Sequence, residues 1–175
     1  RITLSGGVGL WLTRWGGTSV LNMQDDAIIS SNRLRMSANN TVGTSTVNQT
    51  GGTINIVNLA GGDVNQIGVA AGMTATYNIS GGKLFVDARL GGLRALQVGS
   101  YCTGTLNISG TGFVNIPYDS VSLGTNATGV GVVNLDGGTL LTTAVSKGTG
   151  SGTFNFNGGT LKPADANTMF MQGLT

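Results

Sequence analysis

The only acidic side chains in this sequence are Asp25, Asp26, Asp63, Asp87, Asp119, Asp136 and Asp165; there is no Glu and no His. Acid/base or metal chemistry would have to be built from aspartates alone, without the commonest general base and the commonest zinc ligand. Enzymes that cleave polysaccharides with carboxylates cluster them on one face beside a cation. Here Asp25 and Asp26 are neighbours, which in a strand point to opposite faces. Asp63 and Asp119 each precede a recurring Asn by 15 residues, but they lie two repeats apart. Asp87 and Arg89 are spaced for a surface ion pair worth under about 1 kcal/mol. No Gly-Gly is followed by the x-Gly-x-Asp that a calcium-binding nonapeptide needs. Lys147-Gly-Thr-Gly has neither the ending nor the following helix of a phosphate loop. Ser and Thr hydroxyls are plentiful but have no histidine base. Cys102 is the only thiol, so no intrachain disulfide forms, and its neighbours offer nothing to lower its pKa. The expectation is a chain that is not an enzyme, with no catalytic residue, no metal ligand set and no cofactor.

Binding is a different matter. Trp11 and Trp15 flank Arg14 and are candidates either for stacking on sugar rings or for end-to-end contact between copies. The apolar Met169-Phe170-Met171 is a second candidate contact. The cations comprise 3 Lys and 6 Arg, with Arg33 and Arg35 the densest pair; they form no stripe of the kind nucleic acid requires. No run approaches the roughly 20 apolar residues of a membrane-spanning helix, and the opening residues lack a signal-peptide layout. Sequons fall at Asn39, Asn48, Asn78, Asn107 and Asn126.

The elements that would position these groups come from a repeat. Gly, Thr, Asn and Ser supply 31, 23, 16 and 13 positions, while the apolar share is still 39%; a core can form, and helix is disfavoured. Asn48, Asn78, Asn107, Asn134 and Asn155 are each followed three residues later by Gly, at spacings of 30, 29, 27 and 21. An apolar residue precedes each: Val47, Tyr77, Leu106, Val133 and Phe154. Another follows six residues on: Ile54, Leu84, Phe113, Leu140 and Leu161. Upstream lies an apolar-Gly pair, Val42-Gly43, Ile67-Gly68, Val98-Gly99 or Leu123-Gly124, replaced in the last repeat by Ser146-Lys147. Short β-prone runs bounded by glycine read as strands. Two or three such strands per unit fit one coil of a parallel β-solenoid, with coils of about 21–30 residues. Asn at one place in every coil predicts a ladder of side-chain amides along the axis. The stretches 63–66, 89–94 and 115–119 are expected to protrude.

Tyr-Asn-Ile-Ser-Gly-Gly-Lys-Leu, Gly-Thr-Leu-Asn-Ile-Ser-Gly and Gly-Thr-Phe-Asn-Phe-Asn-Gly-Gly-Thr-Leu-Lys-Pro resemble the bacterial autotransporter-associated β-strand repeat. The resemblance spans roughly residues 40–165, and Thr3-Leu-Ser-Gly-Gly reads as a degenerate further copy. It implies an all-β, right-handed parallel β-helix carried by a secreted passenger at the bacterial cell surface. Residues 1–175 are then one solenoid domain whose ends carry no cap. The expected role is structural or adhesive, as a self-associating fibre subunit or a surface passenger fragment, with surface glycans as candidate partners. A carbohydrate-binding or polysaccharide-degrading β-helix and a phage tailspike-like fibre are the alternatives.

Overall fold

The computed structural model describes residues 2–3, 9–39, 42–57, 64–87, 96–166 and 169–174. Among these, every regular element is a strand, so none is a helix long and apolar enough to cross a membrane. In chain order, β1 (Ile2–Thr3), β2 (Leu10–Leu12) and β3 (Gly17–Met23) make a first turn. The next contains β4 (Ile28–Ser31), β5 (Leu34–Met36) and β6 (Gly43–Gln49). Then come β7 (Thr53–Val57), β8 (Asn65–Ile67) and β9 (Met73–Ile79), followed by β10 (Lys83–Asp87), β11 (Leu96–Val98) and β12 (Thr103–Ile108). Finally β13 (Phe113–Ile116) and β14 (Val121–Leu123) lead into β15 (Val130–Thr142), β16 (Val145–Lys147), β17 (Ser151–Pro163) and β18 (Met171–Gln172).

Each strand pairs in parallel with the strand one coil away, which defines a parallel β-solenoid with three faces. Face A stacks β3, β6, β9, β12 and the first halves of β15 and β17. Face B stacks β1, β4, β7, β10, β13 and the second halves of β15 and β17. Face C runs from β2 through β5, β8, β11, β14 and β16 to β18. Because β15 and β17 continue round the corner between faces A and B, those two faces form one sheet.

The period of two explains both surfaces. In β9, Met73, Ala75, Tyr77 and Ile79 are buried, while Thr74, Thr76 and Asn78 face outward. Inward residues stack in columns: Leu21, Val47, Tyr77, Leu106, Val133 and Phe154 on face A; Ile29, Ile54, Leu84, Val114, Leu140 and Leu161 on face B. Each fully buried member contributes about 1.5–3 kcal/mol of apolar transfer. A polar pair, Tyr77 and Gln49, is sealed into this core. The Tyr77 hydroxyl donates to Gln49 Oε1 at 2.7 Å, and Gln49 Nε2 donates to the carbonyls of Gly52 and Lys83, so its amide is satisfied. Burial pushes the Tyr77 pKa up.

The corner between faces A and B is the Asn-x-x-Gly-Gly element. Gly82 has φ +76°, and a Cβ there would run into the Gly52 carbonyl of the preceding coil, so only glycine fits. Two corners are built differently. Ala27 N donates to Gln24 O, and Gly112 N to Ser109 O, each closing a turn one residue longer. This corrects the placing of Phe113. Its neighbour Val114 takes the inward position beside Leu84, while Phe113 faces outward, with Lys83 Nζ 5.6 Å from its ring centre.

The upstream alignment is also corrected. Ile67-Gly68 is in register with Met36-Ser37, not with Val42-Gly43; Gly43 opens β6 and pairs with Gly17 and Met73. Lys147 occupies the column of Leu123 and turns its ammonium to the Gly150 carbonyl, 3.0 Å away. Asn65 and Gln66 lie buried in β8, and Asn115 and Ile116 lie in β13, so these four do not protrude. Asp63, the 89–94 stretch and most of the Thr3-Leu-Ser-Gly-Gly copy fall outside the described residues.

Candidate functional site

The recurring asparagines lie on the outer side of face A. Asn48 Nδ2 donates to Asn22 Oδ1 at 3.0 Å and Asn78 Nδ2 to Asn48 Oδ1 at 2.9 Å. Asn107 donates to Asn78, Asn134 to Asn107 and Asn155 to Asn134, each at 2.7 Å. Every rung points the same way, toward the N-terminal coil. The row faces solvent, half-buried in the middle coils and exposed at Asn22 and Asn155, so each amide trades bonds with water for bonds along the axis. A second rung sits beside it, Asn157 Nδ2 to Asp136 Oδ1 at 2.7 Å.

Asn22 is a ladder member that the Asn-x-x-Gly pattern misses. Its signals are Leu21 before it and Ile29 seven residues after it, both in the core columns. In place of the glycine stands Asp25, which adopts the left-handed backbone that Gly110 has at that position, φ +53° and +54°. Three sequon asparagines, Asn48, Asn78 and Asn107, use as ladder donor the very nitrogen that a glycan would occupy. Asn126 donates to Ser100 Oγ.

The carboxylates are dispersed. Asp25 and Asp26 are exposed at the first corner between faces A and B, and Asp136 is exposed at the fifth. Asp119 binds the Ser120 backbone amide at 2.6 Å, Asp87 is buried at the end of β10, and Asp165 is exposed beyond β17. Among the described residues no three metal-ligating side chains come together. Arg89, the expected partner of Asp87, lies outside the described residues. Cys102 packs with Ala70 and Met73 beside the Gly68 corner, and burial raises its pKa from 9.0 to about 11, which keeps the thiol protonated and unreactive at neutral pH.

The structure brings Trp11, Arg14, Trp15 and Arg35 together. Trp11 projects from β2 beside Arg35 of β5, its register partner, so it faces sideways from face C and not along the axis. The Arg14 guanidinium lies 4.7 Å from the centre of the Trp11 ring and 5.4 Å from that of Trp15; Arg35 lies 5.2 Å from Trp11. Arg35 Nε donates to Gln66 Oε1, and Gln66 Nε2 to Gln97 Oε1, at 3.0 and 2.9 Å. Trp15 is 76% exposed.

The opposite end has another character. Phe156 belongs to the inward column of Leu135 yet is 59% exposed, with no strand among the described residues stacked over it. Met171, in the column of Val145, is also exposed, as is Met169; Phe170 is half-buried, and its carbonyl accepts from Val145 N. Phe156 is the apolar end residue that the sequence pattern leaves unmarked. Comparison of the chain with protein-family models, curated proteins and solved structures finds no match.

Proposed function

We propose that this chain is a structural or adhesive β-solenoid, working outside a bacterial cell as a self-associating fibre subunit or as part of an autotransporter-like surface passenger, and that it is not an enzyme. The observation that carries the reading is the complementarity of its two end surfaces. At one end, β3 pairs only with β6 among the described residues, and the Asn22 amide donates to none of them. At the other, no described strand pairs with the outer edge of β17, and Asn155 Oδ1 accepts from no described residue. A second copy docked head to tail would set β3 on β17, β1 on the second half of β17 and β2 on β18, continuing all three faces. It would also cover Phe156 and Met171. Heterologous contacts of this kind do not close and build filaments, and a chain with few charges offers little repulsion against them.

Sedimentation and negative-stain microscopy across a concentration series test this. Growing filaments of constant width are expected, and Phe156→Glu should shorten them by placing a charge in the joint. A wild-type protein that stays a compact monomer at high concentration overturns the fibre reading.

A further inference from the structure

The Trp11–Arg14–Trp15–Arg35 cluster belongs neither to the core nor to the end surfaces. Trp15 leaves most of an indole in solvent, where a lone ring gains nothing from burial. Arg14 is held between two indoles with no hydrogen bond to any described residue. Among the described residues Arg35 uses only Nε as a donor. Among the described residues neither guanidinium is paired with a carboxylate. Burial, and then the charge of Arg33 two residues away, hold the Arg35 pKa below its ordinary value. The patch thus concentrates positive charge beside a flat apolar plate.

We infer that this cluster is a binding site for an acidic polysaccharide, with a sugar ring stacked on Trp15 and its carboxylate or sulfate held by Arg14 and Arg35. The chemistry separates this ligand from nucleic acid. A nucleic acid carries a charge at every residue and needs a basic track, whereas the column that continues from Arg35 along face C is neutral: Gln66, Gln97, Ser122 and Ser146. A charged sugar flanked by hydroxyls matches one compact cationic spot with no further cation in its column. Arg is suited to the task because its planar fork binds carboxylate or sulfate by two parallel bonds. The site does not depend on the end-to-end association proposed above, because Trp11 and Arg35 project sideways from face C.

Trp11 and Trp15 are the only tryptophans in the chain, so intrinsic fluorescence reports on this site alone. Titration of the intact protein with a hyaluronan oligosaccharide, which bears a carboxylate on every second sugar, and with an oligosaccharide bearing one sulfate per disaccharide is expected to change that fluorescence saturably and to weaken as salt is raised. Neutral cello-oligosaccharides should bind at least about tenfold more weakly, as should the Trp15→Ala and Arg14→Gln variants measured by calorimetry. Trp15 is exposed, so its variant keeps the fold, and an unchanged circular dichroism spectrum would verify that. Equal affinity of Trp15→Ala and wild type, equal affinity for neutral and acidic sugars, tighter binding of a single-stranded oligonucleotide, or no binding to either acidic probe overturns the proposal. Filament formation in the same samples is read separately, so either idea can fail alone.

Discussion

The corner between faces C and A is solved in two ways. In the first two coils the turning residue is Thr13 or Ser37, each with a left-handed backbone, φ 53° and 61°, a conformation costing a non-glycine residue about 1–2 kcal/mol. Hydroxyl bonds offset that cost. Thr13 Oγ1 lies 2.7 Å from Ser19 Oγ, and Ser37 Oγ 2.7 Å from Ser45 Oγ, with further bonds to the carbonyls of Thr44 and Thr74. In the later coils the same position is Gly68, Gly99 or Gly124, and the facing Ser becomes Ala75, Gly104 or Gly131. There the two backbones close on each other: a Cβ at Gly99 would strike the Val130 carbonyl, and one at Gly104 the Ile67 carbonyl. One fold position is thus held by side-chain hydrogen bonds in one region and by main-chain contact in the other. The two solutions are not interchangeable.

The sharpest way to break this contrast is to carry the serine solution into the glycine region. Gly99→Ser combines an unfavourable φ with a backbone collision, and a loss of about 3 kcal/mol or more is expected in urea unfolding; a loss under 1 kcal/mol would mean the later corners open easily. The converse change, Ser37→Ala, strips the hydroxyl but keeps the strained φ, leaving Ser45 and the Thr74 carbonyl short of a partner, for about 1–3 kcal/mol. Ser37→Gly should cost less than Ser37→Ala because the strain goes with the side chain; the opposite order would show that φ is not under strain. The Asn row crosses both regions. Asn48→Ala and Asn107→Ala should therefore lose similar amounts, about 0.5–1.5 kcal/mol each, and widely different melting temperatures would mean that the row takes its strength from local packing.

The smallest effect concerns Cys102, whose sulfur sits 3.0 Å from where a Gly68 Cβ would be. Its folded pKa is raised above the unfolded value, so its contribution is fully present below pH 9 and is lost as pH climbs toward about 11. Across that window the melting temperature should fall less for Cys102→Ala than for wild type. Parallel curves would place the thiol in a water-accessible site.

What the sequence disclosed follows from this contrast. The inward columns and the Asn row were legible because one residue type, or one polarity, recurs at one place. The first two coils were harder to align, because Ser37 and Asp25 stand where glycine marks the other corners and their backbone angle leaves no compositional trace. Phe113 was misplaced for a related reason: the Ser109–Gly112 turn adds a residue, and counting from Asn107 then lands one position short. The convergence of Arg35 on Trp11 comes from strand register across coils and could not be read from local spacing. The sequence pair Trp11 and Trp15 pointed to the right neighbourhood without its second cation.

The unbroken course of β15 and β17 round a corner has a mechanical consequence. Coils pulled along the axis act as links in series, so load is borne equally by every boundary and failure begins at the weakest. The boundary between these two strands keeps one rung of pairing inside the bend, Asp136 with Gly158, between two register shifts, although Gly138 and Gly159 turn it with left-handed glycines like those of other corners. Under tension the last two coils should travel together as a rigid block, and the molecule should part nearer its serine-cornered end.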